Sequence, residues 1–473
     1  MNLPPGSSDR QPAMPELTNT LPSPPVDDAG LTEYVLRLRR RKITAEAATR
    51  TYLDRIEALD GKLGAFEHVA YEQAMRTAWA IDRLLQAGTD LGPLMGVPVA
   101  LKDLFAVDDM PTKAGSNLDV SDLIGAEGSF VKSLKRAGCV ILGKTKTVEF
   151  ALGATGVNTG RGTPWNPWDS SMKRLPGGSS SGSAVAVAAG MAPLAIGTDS
   201  GGSIRIPAAF NGIFGHKTTV GAFATDGIFP LSQTLDSIGA LCRSAADAAI
   251  FFEALTGIKI AHSDVKRLRL GRPTSYFFDN LDGRVAESIE IAFAKLQEAG
   301  VEVVEIDVPE VAECRQILHA LMTSELMASL GRERFCEGLS IIDPVVAKRA
   351  ASALDLSAVD YLNALRRHRK LATRAAEKFS GLDGWVMPTV PITPPPVDAV
   401  ADPVEASRMT QIINQNTQPG NLLGLCGISL PIGPTVASLP VGLQILGKNG
   451  GDGALLGVAN ALEEVLGRPE LPF

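Results

Sequence analysis

Between Gly177 and Pro207 the chain reads GGSSSGSAVAVAAGMAPLAIGTDSGGSIRIP, two clusters of glycine and serine separated by the apolar run Ala184–Gly197. A flexible Gly/Ser linker stays polar along its length, whereas this run is long enough for a buried core element and too short to cross a membrane. Ser179 and Ser203 therefore fall in separate glycine turns pinned to a core.

The second turn, Asp199-Ser200-Gly201-Gly202-Ser203, is the sharper of the two. Residues without side chains just before a hydroxyl let successive backbone N–H groups converge on one point, a nest suited to an oxyanion. A serine at the end of such a nest is placed to attack a carbonyl whose developing charge falls among those donors. Each donor lost from such a hole costs about 3–4 kcal/mol. Ser203 is the candidate nucleophile on this reading.

A serine hydroxyl needs a base, most often histidine. The five histidines, His68, His216, His262, His319 and His368, stand in no recognisable triad motif. Gly178–Gly182 fits the G-x-S-x-G elbow, but low-complexity sequence produces such matches readily. A different base ends the segment Gly96-Val97-Pro98-Val99-Ala100-Leu101-Lys102-Asp103, where an apolar strand-like run closes on a lysine. An unperturbed lysine titrates near 10.4, so service as a base at neutral pH needs a depression of about 3 units, roughly 4 kcal/mol, which burial supplies. Taken alone, Lys102 reads as an ordinary strand-end lysine, its ammonium leaving the core.

Lys102, Ser179 and Ser203 acquire a joint meaning from their order. GVPVALKD, GGSSSGS and GTDSGGSIRIPA resemble the signature blocks of the amidase signature family, and the 24-residue step from Ser179 to Ser203 agrees with that pattern. The resemblance continues through GKTKTVEFALG at 143–153, NPWD at 166–169, MPTVPITP at 387–394, and NLLGLCGISLPIG with LPVGLQILG near the end. It implies a Ser203 acyl-enzyme, Ser179 as proton relay and Lys102 as terminal base. It also implies an oxyanion hole from the N–H groups of Ser200, Gly201, Gly202 and Ser203, and a substrate-binding stretch at Gly153, Ala154 and Thr155. Two departures stand out. Ser181 replaces a usual glycine, and His216 and Thr218 lie in GHKTTVG where relatives often read GLKPTxG; His216 is read as structural.

The implied fold is α/β: a single large α/β/α amidase signature domain over 31–473, its central mixed β-sheet covered by helices on both faces. Residues 1–30, with seven prolines and no apolar signal-peptide core, read as a disordered or loosely packed tail. Thr44 is a plausible N-cap for a helix whose stripe Ala48, Tyr52, Ile56 and Leu59 packs inward. Phe130–Ala137 is predicted as a helix, and strands are predicted at Val140–Leu142, Trp385–Met387, Ile428–Leu430 and Val441–Leu446, with a closing helix over Ala454–Leu466. The least family-like stretch, about 258–380, is predicted as a mostly helical cap containing Gln316–Leu330 and Asp360–Phe379. Leu321, Met322, Leu326 and Met327 there are candidates for the acyl pocket, with helix core as the stronger reading.

A net charge of −7 argues against nucleic-acid binding, and the basic run Arg37, Arg39, Arg40, Arg41 and Lys42 reads as a solvated helix face and turn. Five widely spaced cysteines favour reduced thiols in a cytoplasmic protein with no metal site. No cofactor, nucleic acid or membrane partner is expected; the partner is a small-molecule amide, and a homodimer is allowed. Neither a phosphate loop nor a dinucleotide fingerprint is present.

The expected activity is hydrolysis of a small carboxylic amide, to the acid and ammonia or amine, through a Ser-Ser-Lys triad. Three alternatives stand beside it. The glutamine-hydrolysing A-type component of an amidotransferase shares the triad, but such proteins commonly carry an aspartate seven residues before the asparagine of the NLxGLP-type block, and counting back from Asn421 gives Asn414. A carbamate, urea, anilide or ester hydrolase uses the same triad. A non-catalytic scaffold is disfavoured by retention of all three residues.

Overall fold

The computed structural model describes residues 21–26, 29–433 and 439–472. Eleven strands form one mixed sheet: β1 (Phe66–Val69), β2 (Pro98–Lys102), β3 (Val140–Thr145), β4 (Leu194–Asp199), β5 (Phe214–Lys217), β6 (Ser237–Cys242), β7 (Arg269–Pro273), β8 (Glu302–Ile306), β9 (Gly384–Pro388), β10 (Cys426–Ile432) and β11 (Val441–Gly447). Their spatial order is β1-β3-β2-β4-β6-β5-β10-β11-β9-β7-β8. β2 runs parallel to both β3 and β4, and β7 parallel to β8 and β9, while the central pairs are antiparallel. Helices cover both faces, so every residue of β2 to β6 and of β9 to β11 is buried. Strands covered on two sides read as unbroken apolar runs rather than alternation.

The helix Ala45–Leu63 starts where expected: Thr44 Oγ1 accepts from the Ala47 amide at 3.0 Å, and Gly64 ends it in the left-handed region at φ 59°. Ala48, Tyr52, Ile56 and Leu59 are all buried. The predicted late elements are found as Gly384–Pro388, Cys426–Ile432, Val441–Gly447 and the helix Asp452–Leu466.

Three local readings differ. The apolar run Ala184–Gly197 is not one element: a helix over Ser181–Ala188 reverses at Gly190, φ 63°, into β4. Burial on every side erases the periodicity that would have divided it. β3 extends past Leu142 to Thr145, because Lys144, polar in sequence, is fully buried 3.1 Å from Asp103. The stretch 258–380 contains the helices Gly283–Glu298, Cys314–Leu330, Pro344–Ala351 and Ala358–Glu377, but it also supplies β7 and β8, which complete one edge of the sheet.

Most of the Pro-rich start, residues 1–20 with 27 and 28, lies outside the described residues. Residues 21–26 pack on the body: Tyr52 Oη accepts from the Val26 amide at 3.1 Å and Arg55 donates to the Pro22 carbonyl at 2.8 Å. Among the described residues no helix is long and apolar enough to cross a membrane.

Candidate active site

Lys102 ends β2, the third strand from one edge of the sheet, and its side chain is wholly buried instead of leaving the core. Its Nζ donates to Ser179 Oγ at 2.7 Å and to Thr198 Oγ1 at 2.9 Å. Ser179 lies in the turn before the helix Ser181–Ala188, after a cis Gly178–Ser179 peptide bond, while Thr198 comes from the neighbouring strand β4. Burial drives the Lys102 pKa down to about 7, against the opposing charges of Asp236 and Asp199. A lysine so poised exchanges a proton near neutrality.

The turns that carry Ser179 and Ser203 are joined through their backbones. Ser180 N donates to Ser203 O at 3.2 Å, and Val148 N donates to Ser179 O at 3.2 Å. Ser179 is fully buried, and Ser203, also buried, keeps 8% of its surface exposed.

Asp199 shapes the second turn. Its carboxylate accepts from Gly202 N at 2.7 Å and Ile204 N at 3.2 Å, and faces the buried Arg205 through Nε at 3.1 Å and Nη2 at 3.0 Å. Arg205 also donates to Gln444 Oε1 at 2.8 Å and Asn421 Oδ1 at 2.6 Å. Burial pushes the Asp199 carboxyl up, but the Arg205 charge and hydrogen bonds, with Lys217 and Asn421, outweigh it and hold the group well below the usual carboxylate range. The network is fully satisfied, which such burial requires.

This bonding engages one of the four amides expected in the oxyanion hole. The Gly202 amide is already spent on Asp199, whereas those of Ser200, Gly201 and Ser203 meet no acceptor among the described residues. Gly202 serves the turn through its backbone: φ is 128°, and a Cβ there would fall 2.2 Å from Thr417 Oγ1.

A cavity of about 1320 Å³ adjoins the turns. It meets them at Val148, bonded to Ser179, and at Gln418, packed beside Gly201. Gly153 and Thr155 line it; Ala154 is buried behind, its carbonyl accepting from Gly178 N at 2.8 Å. Leu321, Met322, Leu326 and Met327 are core residues outside the cavity wall. Arg315, Gln316 and His319, on the same helix, line it instead. Arg349, which also lines it, carries a guanidinium that forms no hydrogen bond or ion pair among the described residues, and burial lowers its pKa to about 10. Asn414 and Gln418 also reach this wall.

None of the described contacts joins a histidine to Ser179 or Ser203. His216 is buried in β5, 3.3 Å from Asp452 Oδ1, in keeping with a structural role. His319 Nε2 lies 2.9 Å from Ser352 Oγ, and His368 Nδ1 2.7 Å from Leu422 O. Among the described residues no cluster of metal-ligating side chains occurs.

The Amidase family model matches residues 47–456. The chain belongs to the amidase family. It is 38% identical over 456 residues to 2-amino-5-chloromuconic acid deaminase of Comamonas testosteroni, covering 93% of this chain and 98% of that one. It is 32% identical over 467 residues to the A component of glutamyl-tRNA(Gln) amidotransferase of Geobacter metallireducens, covering 90% and 95%. A crystal structure of an amidase superposes with a TM-score of 0.85 at 32% identity, over 93% of this chain and all of that one. The family is one of hydrolases acting on carbon–nitrogen bonds.

For this amidase family member, the sequence alone did not place Thr198 or Asp236 near Lys102, or Arg349 on the cavity wall. Thr198 carried a weak signal, since it precedes the Asp199 turn on a buried strand. Arg349 carried none, because nothing in KRAA at 348–351 tells that the helix Pro344–Ala351 turns it toward a cavity.

Proposed function

We propose that the protein hydrolyses the carbon–nitrogen bond of a small amide bearing a carboxylate, through an acyl-serine intermediate. The observation that carries this reading is the buried Lys102 amine 2.7 Å from Ser179 Oγ, with a depressed pKa and with the Ser203 turn bonded to the Ser179 turn through the backbone. Ser203 attacks the carbonyl, and its proton passes through Ser179 to Lys102. The carbonyl oxygen, now negative, is met by the amides of Ser200, Gly201 and Ser203. The leaving nitrogen takes the proton back by the same route, and water repeats the sequence on the acyl-enzyme. Each proton Lys102 accepts is returned within the half-reaction, so the scheme consumes none.

The carboxylate follows from Arg349, whose guanidinium lines the cavity without a hydrogen-bond or ion-pair partner among the described residues and is a ready anion partner. An acid-bearing substrate also agrees with the name of the 38% identical deaminase, which gives a second reading: release of ammonia from an amino-substituted unsaturated diacid. Glutamine is expected to be a poor substrate, because the cavity-lining Asn414 is neutral at the position where the A-type components of amidotransferases commonly carry an aspartate.

The test is ammonia or amine release from a panel of carboxylate-bearing amides, neutral primary amides, anilides, carbamates, 2-aminomuconate and glutamine. Preference for the carboxylate-bearing amides, lost in Ser203→Ala, supports the reading. Preference for glutamine, with turnover dependent on a second protein, replaces it by the amidotransferase.

A further inference from the structure

Asp236 takes no part in the chemistry above, yet it sits directly behind it. It immediately precedes β6, whose first residue Ser237 pairs with Asp199 at the end of β4. Ser200 Oγ donates to Asp236 Oδ1, and the amides of Leu231 and Ser232 donate to Oδ2 at 3.1 and 3.0 Å. Ser237 Oγ in turn donates to the Asp199 carbonyl at 2.8 Å. The start of the glycine turn is thus tied to the 230–237 segment on both sides. Asp236 and Thr198, the second partner of Lys102, line one small cavity of about 30 Å³.

The charges around Lys102 single Asp236 out. On β3, Lys144 is paired with Asp103 at 3.1 Å. On β4, Asp199 is paired with Arg205 at 3.0 Å. Glu325, reaching in from the helix Cys314–Leu330, accepts from Ser232 Oγ at 2.5 Å and Tyr361 Oη at 2.8 Å. The two carboxylates whose charge reaches Lys102 are Asp236 and Asp199. Asp199 is matched by Arg205, whereas Asp236 is held by one hydroxyl and two amides and has no paired cation among the described residues.

We propose that Asp236 is a positioning residue for the reaction, holding the Ser200 end of the glycine turn and keeping the Lys102 amine in the field of one uncompensated carboxylate. This rests on Lys102 being the base. Burial, with the nearby Glu325 charge, lifts the Asp236 pKa to about 6, against the Ser200 and Ser232 hydrogen bonds and the Lys102 charge, so the group is largely ionised at about pH 7. Its charge favours protonated Lys102. Removing that charge lets the amine stay neutral to lower pH, and removing the hydrogen bond loosens the Ser200 amide.

The experiment follows the rate of Ser203 labelling by a fluorophosphonate against pH, a readout independent of the natural substrate. Asp236→Asn should move the acid-limb midpoint down by about half a pH unit or more, as loss of a nearby charge does, and lower the plateau. Ser200→Ala leaves the carboxylate in place but removes a hydrogen bond that lowers its pKa, so it should lower the plateau and move the midpoint by less than Asp236→Asn does. An unmoved or raised midpoint in Asp236→Asn, or an equal shift in Ser200→Ala, overturns the proposal. Should Asp236→Asn not fold, Asp236→Glu retains the charge, and a downward midpoint shift in that variant overturns it equally. Absence of Ser203 labelling in the unaltered protein would instead remove the nucleophile assignment beneath it.

Discussion

Arg205 grips Asp199 six residues earlier through two nitrogens, Nε to Oδ2 at 3.1 Å and Nη2 to Oδ1 at 3.0 Å, with both side chains wholly buried. The same carboxylate receives the Gly202 and Ile204 amides, so the ion pair and the shape of the turn that bears Ser203 are one structure. Arg205→Met leaves Asp199 buried without its main counter-charge. Breaking one side of such a pair costs about 3–5 kcal/mol, and urea unfolding should show a loss of that size. A loss below about 1 kcal/mol would mean that Lys217 and Asn421 suffice.

Activity should rise with pH through about 7. Lys102 must be neutral to accept the Ser203 proton, and its folded pKa lies near 7 rather than at 10.5, so the competent fraction falls as pH drops below that value. The acid limb of kcat/KM should therefore have its midpoint near 7 and fall about tenfold per unit below it. Lys102→Ala should lose at least the general-base contribution, about 10²–10⁴-fold. A folded Lys102→Ala protein of near-normal rate would return the base role to a histidine.

Arg349→Met should separate binding from chemistry. Hydrogen bonds to a charged group contribute about 1.5–3 kcal/mol, roughly 10- to 100-fold in affinity. KM for a carboxylate-bearing amide should rise by that factor while kcat stays within a few-fold, and a neutral amide should be little affected. Equal losses for both substrates in steady-state kinetics would show that Arg349 only supports the wall.

Ser181 begins the helix Ser181–Ala188 with a buried hydroxyl that has no hydrogen-bond partner among the described residues. An unpaired buried hydroxyl costs about 1–3 kcal/mol, and alanine is the better helix former. Ser181→Ala should raise stability by about 1 kcal/mol in denaturant unfolding. Destabilisation would mean that the hydroxyl finds a partner in solution.

What the sequence by itself determined here is what depends on neighbours along the chain. The glycine turns at 177–183 and 199–203, the Thr44 cap and the stripe Ala48, Tyr52, Ile56 and Leu59 each follow from dihedral freedom, a local hydrogen bond or a 3.6-residue period. The order of Lys102, Ser179 and Ser203 was also readable, though only against a family pattern. Contact between Lys102 and Ser179 was decided by tertiary structure. Lys102 and Ser179 are 77 residues apart and meet because β2 lies parallel beside β4, with the helix Ser181–Ala188 packed across them. The same register gives Lys102 its Thr198 partner, and the β4 to β6 pairing sets Asp236 behind the turn. Burial moved the Lys102 pKa, and burial is a property of the assembled sheet and helices, not of the segment GVPVALKD. The cavity wall is later still in this hierarchy: it unites Gly153, Arg349 and Gln418 from three distant segments, and no local period records which helix face will turn toward a space that exists only once the helices have docked.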